Sequence, residues 1–174
     1  PDVAVQPALA PVKAAATYEV TVTEDIVYGQ GLTCAGWYSE DCTPMDLLLD
    51  LYEPQGGPAE GKPVLVVIHG GGFKQGSHKG GAFKQFAQHF TARGWVAISL
   101  TYRVQGHHGP LPADWPGLET DVVDPDQVRA LYAAGRDAKA AVRWVRSQSE
   151  ELGIHKEAFV ATGGSAGAFL AMML

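Results

Sequence analysis

One serine in the sequence stands where it could act as a nucleophile. Ser165 is the middle residue of Gly163-Gly164-Ser165-Ala166-Gly167, which matches the pattern G-x-S-x-G. On a tight strand-to-helix turn, this pattern gives the serine a strained backbone and requires small residues where strand and helix cross. The hydroxyl then points into a cleft, and the helix N-terminus favours developing negative charge there. The chemistry predicted for this turn is attack on an ester carbonyl.

A second glycine-rich stretch, His69-Gly70-Gly71-Gly72, could supply hydrogen-bond donors. Consecutive glycines let backbone N–H groups face a cleft without obstruction by side chains. Such donors can hold an oxyanion, and each is worth roughly 10²–10³ in rate. The stretch could instead bind phosphate, but it lacks the G-x-x-x-x-G-K-[ST] spacing, and no G-x-G-x-x-G with a downstream acidic residue follows. A nucleotide-binding α/β domain is therefore disfavoured.

Both stretches directly follow segments that we predict to be buried strands. Residues 64–68, 95–100 and 158–161 are continuous apolar runs. Strands that are apolar on both faces are typical of a parallel sheet covered by helices. Ligands of open α/β sheets bind at the carboxyl ends of strands, so we expect the two glycine-rich stretches to share one rim.

The remaining segments predict helices and an antiparallel edge. Phe83, Phe86 and Phe90 mark one helix, and a longer one opens at Asp124-Pro125 with a cap and a proline in its first turn. Alternating apolar residues over 18–23 and 46–52 predict two strands in series. The predicted fold class is α/β: a mostly parallel sheet with helices on both faces and an antiparallel N-terminal edge.

The first 17 residues are rich in Pro and Ala. We predict a flexible leader over residues 1–17 and one folded unit over residues 18–174. Cys34 and Cys42 are either two free thiols or a local disulfide, and without a third cysteine or a nearby histidine they do not suit zinc. We favour the disulfide. The leader resembles those left after removal of a signal peptide, so we expect a secreted or periplasmic protein.

Composition excludes several classes of partner. Hydrophobic residues make up 46% and charged residues 18% of the chain, which is a globular balance. The net charge of −6 and the scattered Lys and Arg residues predict no nucleic-acid partner. No apolar run approaches the ~20 residues that cross a bilayer. No pattern indicates a metal or an organic cofactor.

With these two stretches, the chain resembles the α/β-hydrolase superfamily, specifically its carboxylesterase and lipase branch with HGGG-type oxyanion holes. The resemblance covers about residues 18–174, the N-terminal half of that fold. The site it implies consists of the nucleophile Ser165, oxyanion-hole amides at Gly71, Gly72 and Ala166, and supporting residues His69, Gly70, Gly163 and Gly167. His69 would fix the loop rather than take protons.

Tyr102-Arg103 falls where the family often has a Tyr-Arg pair. The hormone-sensitive-lipase branch continues as YRLAPE, whereas this chain continues Val104-Gln105-Gly106. The chain therefore resembles more closely the secreted esterases that include feruloyl and other carbohydrate-ester esterases.

The family order along the chain is Ser, then acid, then His, but no Asp, Glu or His follows Ser165. His107 and His108 lie in the irregular stretch 104–124, and we interpret them as solvated loop residues or substrate contacts rather than the base. We therefore expect an N-terminal fragment whose missing C-terminal half carries the triad acid and base. The fragment alone would retain little hydrolytic activity.

The predicted function is hydrolysis of a small-molecule or polymer-linked carboxylic ester through an acyl-enzyme at Ser165. The alternative is a noncatalytic interaction domain on a hydrolase fold. Loss of catalysis usually begins at the nucleophile or the oxyanion hole, and both are intact here, so we favour the enzyme.

Overall fold

The structure, a computed structural model, describes residues 6–115 and 124–174. Its strands are β1 (Glu19–Cys34), β2 (Cys42–Gln55), β3 (Lys62–Ile68), β4 (Val96–Leu100) and β5 (Ile154–Gly163), and its helices are α1 (Gly81–Thr91), α2 (Pro125–Ser147) and α3 (Ala166–Met172), with a short 3₁₀ helix at Gln105–His107. The strands form one sheet in the order β1-β2-β4-β3-β5. The part of the predicted long loop at residues 116–123 lies outside the described residues.

Half of the strand pairings are parallel. β3 pairs in parallel with β4 on one side and β5 on the other, whereas β1–β2 and β2–β4 are antiparallel. The α/β fold class and the antiparallel N-terminal edge are thus confirmed, in a sheet that is mixed. The first two strands are longer than their alternating patterns predicted, because their ladder continues from Glu19–Gln55 to the pair Cys34–Cys42.

Helices cover both faces of the sheet, as predicted. The larger core lies under α2 and α3, where small residues such as Ala134 and Ala138 let α2 approach the strands. The smaller core lies under α1, whose Ala87 packs with Tyr52 and Leu65. The predicted cap of α2 is also present, since Asp124 Oδ1 accepts a hydrogen bond from the backbone N–H of Gln127 at 3.1 Å.

One burial prediction was wrong. Residues 158–161 were expected to be buried on both faces, yet Val160 is 48% exposed. β5 lies at the end of the strand order, so among the described residues it has a neighbouring strand on one side only. Phe86 of α1 is 43% exposed, because α1 turns Ala87 rather than Phe86 toward the sheet.

Part of the predicted leader lies against the folded unit. Ala10, Lys13 and Thr17 donate backbone hydrogen bonds to Gly61, Arg93 and Ala92 respectively, and Ala10 is buried. These residues are therefore fixed along two loops of the sheet rather than extended freely. The domain boundary at residue 17 stays a prediction.

The disulfide between Cys34 and Cys42 is confirmed. It joins the last residue of β1 to the first residue of β2, so it closes the loop of this long hairpin. Closing a loop this short stabilises the fold by about 2–3 kcal/mol in the chain-entropy model.

Candidate active site

The turn between β5 and α3 has the geometry of a nucleophile elbow. Ser165 is the N-cap of α3 and has φ 51° and ψ −115°, a conformation that costs a non-glycine residue about 1–3 kcal/mol. A Cβ on Gly163 would lie 2.5 Å from the carbonyl carbon of Gly167, and one on Gly167 would collide with Ile68 O. Larger residues cannot occupy these positions, which explains the spacing of the two glycines around the serine.

The second glycine-rich stretch approaches this elbow directly. β3 lies beside β5 in parallel, so Ile68 and Gly163 are register partners, and both turns leave the same rim of the sheet. A Cβ on Gly70 would lie 2.6 Å from Gly164 O and 3.5 Å from the Ser165 Cβ. The structure thus brings the two predicted stretches together, as the topology required.

Ser165 is exposed and faces two clefts. One cleft, of about 200 Å³, is lined by Gly72, Gln127, the elbow, and apolar side chains of Phe73, Val128, Leu131 and Phe169. The other contains Gly71, Gln75, Ser77 and Phe83. Gly71 and Gly72 therefore each share a cleft with the serine. Ala166 is buried at the first position of α3, where its backbone N–H has no partner within the helix.

His69 is a buried part of the loop. It is 2% exposed, its Nδ1 lies 2.7 Å from Gly70 O, and its ring stacks on Tyr102 with centroids 4.2 Å apart. An Nδ1–H tautomer donates this bond and leaves Nε2 as a buried atom without a hydrogen-bond partner among the described residues. Burial lowers the pKa of His69, so the ring is neutral near pH 7. This arrangement supports the predicted structural role.

Side chains from distant elements hold the loop, a role that was not predicted for them from the sequence. The Tyr102 hydroxyl donates to His69 O at 2.8 Å, and burial raises the pKa of Tyr102 to about 12, so it keeps its proton. Gln127 Nε2 donates to Gly72 O at 3.1 Å. Of these two residues, only Tyr102 could have been found from the sequence, through its place in the Tyr-Arg pair. No sequence pattern indicates Gln127.

Arg103, the partner of Tyr102 in sequence, fixes the end of β4. Its guanidinium makes a bidentate contact with the buried Asp137 of α2 at 2.9 and 2.7 Å, and it donates to Leu32 O at 3.1 Å. Asp137 also accepts from the Arg103 backbone N–H. The pair joins β1, β4 and α2 behind the site, and breaking such a buried pair costs about 3–5 kcal/mol.

His107 makes a contact within its own loop, and His108 contacts the disulfide hairpin. His107 Nδ1 accepts from the Val104 N–H at 2.9 Å, and His108 packs edge-on against Trp37 with Nδ1 3.3 Å from Cys34 O. Both are half-buried. These contacts occupy an Nδ1 of each ring and do not involve Ser165.

The sheet order, the strained serine elbow and the adjoining glycine loop define an α/β-hydrolase of the carboxylesterase type. The profile of the BD-FAE family matches residues 49–124 and 126–174. The chain therefore belongs to the BD-FAE family, an esterase family of this fold.

Known esterases resemble the chain in sequence and structure. Esterase LipC of Mycobacterium tuberculosis is 29% identical over 72% of this chain and 26% of its own length, and fumonisin B1 esterase of Sphingopyxis macrogoltabida is 32% identical over 80% and 23%. The thermophilic esterase Est2 of Thermogutta terrifontis superposes with a TM-score of 0.58 at 31% identity, over 88% of this chain and 42% of that one. The chain thus spans about a quarter of the curated relatives and about two fifths of the solved esterase.

In the described residues, no helix combines the length and apolarity needed to cross a membrane.

Proposed function

We propose that this chain carries the nucleophile and the oxyanion hole of a serine carboxylesterase. The observation that carries the proposal is the strained, exposed Ser165 at a turn into which the loop of Gly70, Gly71 and Gly72 is packed. Holding a residue in such a conformation costs free energy, and residues strained in this way cluster at functional sites. Membership in an esterase family gives independent support.

In the proposed reaction, Ser165 Oγ attacks the ester carbonyl carbon as a base removes its proton. The carbonyl oxygen becomes an oxyanion, which accepts hydrogen bonds from the amides of Gly71, Gly72 and Ala166. Collapse expels the alcohol and leaves an acyl-enzyme, and water then releases the acid and restores the serine. Each amide donor contributes about 10²–10³ in rate.

The base must accept a proton at Ser165. His69 lines a cleft with Ser165, but its Nδ1 is bonded to Gly70 O and its Nε2 is buried. We therefore propose that the triad acid and base belong to the part of the full-length relatives that this chain does not span. The shares of 23% to 42% that the chain covers in those proteins support this.

We propose a carboxylic ester, small or polymer-linked, as the substrate. The cleft with Val128, Leu131 and Phe169 suits an apolar group beside the reacting carbonyl. Relatives act on chemically different esters, since one is named fumonisin B1 esterase and another acetylcholinesterase. The disulfide Cys34–Cys42 supports the further proposal that the protein works in an oxidising compartment, secreted or periplasmic.

The test uses the full-length protein and its Ser165→Ala variant. Est2 of Thermogutta terrifontis has been solved phosphonylated by sarin, so an organophosphorus probe is apt. We expect a fluorophosphonate to label the natural protein and not the variant, and we expect hydrolysis of p-nitrophenyl acetate to fall by at least about 10³-fold in the variant. Equal labelling of both proteins would refute the proposal and favour a noncatalytic interaction domain.

A further inference from the structure

The far end of the glycine loop is held by a second histidine that the proposed reaction does not use. His78 is 5% exposed, although its neighbours Ser77 and Lys79 are exposed. Its Nδ1 lies 2.6 Å from Thr101 Oγ1, and its backbone oxygen accepts a hydrogen bond from Ser99 Oγ at 2.7 Å. The loop residue is thereby fixed to the end of β4.

Two carboxylates meet the other side of the ring. His78 Nε2 lies 3.1 Å from Asp25 Oδ1 and 3.3 Å from Asp50 Oδ1. Asp50 is 1% exposed and also accepts from the Asp25 backbone N–H at 3.0 Å. Asp25 has φ 58° at the irregularity in β1 between Thr23 and Ile26. A strained residue of β1 is thus turned toward a loop histidine.

The anchored residue is close to the amides that the reaction needs. Gly76, two residues before His78, packs so tightly on the His69 ring that a Cβ there would collide with its Nδ1. Gly71 O accepts from the N–H groups of Lys74 and Gln75, which closes the loop between the two histidines. Gly76 and the turn at Lys74 and Gln75 therefore connect His78 to the residue whose amide the proposed reaction uses.

We propose that His78, held by Asp25 and Asp50, is a positioning residue for the oxyanion loop. The inference rests on the proposed function. Its ring fixes the far end of the loop, as His69 and Tyr102 fix the near end. The Gly71 and Gly72 amides thereby stay oriented toward Ser165.

The same three groups also offer one nitrogen and two oxygen atoms within 4.8 Å of one another, a spacing that a divalent cation could use. Hydrogen bonds already account for them. Lys79 forms an ion pair with Asp25, and the hydrogen bond from Lys79 lowers the pKa of the Asp25 carboxyl. We therefore assign the cluster to positioning and not to a metal.

The experiment compares His78→Ala, His78→Gln and His89→Ala in the full-length enzyme. His89 is an exposed histidine of α1 and serves as the matched control. The readouts are kcat per serine titrated by fluorophosphonate, KM, and the inhibition constant of a trifluoromethyl ketone, which forms an oxyanion on the serine.

We expect His78→Ala to lower kcat by about 10–100-fold, part of the value of one oxyanion donor, with KM nearly unchanged. The inhibition constant should rise by the same factor. Gln should restore part of the activity, since its amide nitrogen can donate to Asp25 where imidazole Nε2 does, and His89→Ala should match the natural enzyme.

Unchanged kcat per titrated serine in a folded His78 variant would overturn the inference. So would a loss of activity on chelation with EDTA that the natural enzyme shows and the His78 variants do not, which would assign a metal to the cluster. If His78→Ala does not fold, His78→Gln and Asp25→Asn provide the same comparison. A natural enzyme that neither hydrolyses esters nor takes the probe would instead refute the proposed function.

Discussion

The two glycine-rich turns that meet at Ser165 keep their shapes by different means. The elbow after β5 is fixed by backbone sterics, because Gly163 touches the backbone of Gly167 and both glycines touch the backbone oxygen of Ile68 in the neighbouring strand β3. The loop after β3 is fixed by distant side chains: Tyr102 and Gln127 bond its carbonyls, and Asp25 and Asp50 hold its far end through His78. The first turn depends on backbone contacts within itself and with the end of β3, whereas the second depends on side chains from β1, β2, α2 and the segment after β4.

Because the two turns are fixed differently, substitutions in them should have different effects on stability and on catalysis. A change at the elbow strains the backbone and should affect folding as much as catalysis. A change in the supports of the loop removes single hydrogen bonds, so it should mainly misplace the amides. Variants of the elbow and of the loop supports therefore separate an effect on folding from an effect on catalysis.

The largest effect is expected at the elbow. Gly167→Ala places a Cβ against Ile68 O and should lower the free energy of unfolding by about 3 kcal/mol. Gly164→Ala is the matched control, because its Cβ would meet only the Phe83 ring at 3.6 Å. Denaturant unfolding of both variants measures the difference. Equal stability of the two variants would show that the backbone contact with Ile68 does not define the turn.

A smaller effect is expected where a loop support is removed. Tyr102→Phe keeps the ring stacked on His69 but loses the hydrogen bond to His69 O, which should cost about 0.5–1.5 kcal/mol. We expect kcat per titrated serine to fall by up to about tenfold.

Tyr28→Phe is the control for this variant, since Tyr28 donates a similar bond to the backbone oxygen of Thr101, outside the glycine loop. We expect a comparable loss of stability with kcat unchanged. The same loss of kcat in both variants would attribute the effect to general destabilisation rather than to the loop.

The smallest effect is a pH dependence of stability at His69. Burial holds its pKa in the folded protein below the ordinary value of 6.5, so between those two values the unfolded chain binds more protons. The contribution of neutral His69 to the free energy of unfolding is therefore fully present above pH 6.5. It decreases as the pH falls below 6.5, by at most about 1.4 kcal/mol per pH unit.

His69→Asn keeps a donor for Gly70 O but cannot titrate, so its unfolding free energy should depend less on pH below 6.5. His107, whose pKa burial also lowers, remains in both proteins and cancels in the comparison. Parallel pH profiles of the two proteins would contradict a buried neutral His69.

The same contrast explains how much of the site the sequence could predict. The elbow, the α2 cap at Asp124 and the disulfide were predicted because neighbouring residues encode them. The supports of the loop were not, since Asp25 is 53 residues from His78 and Gln127 is 55 from Gly72. The exposure of Val160 was also missed, because an apolar run does not reveal which strand lies at the end of the sheet.

The central claim is that Ser165 and the loop amides act on one carbonyl group, the serine on its carbon and the amides on its oxygen. A crystal structure of the full-length protein after reaction with a fluorophosphonate tests it most directly. We expect phosphorus bonded to Ser165 Oγ and one phosphonyl oxygen about 2.7–3.1 Å from the amide nitrogens of Gly71, Gly72 and Ala166. Phosphorus on another residue, or a phosphonyl oxygen that no glycine-loop amide contacts, would contradict it.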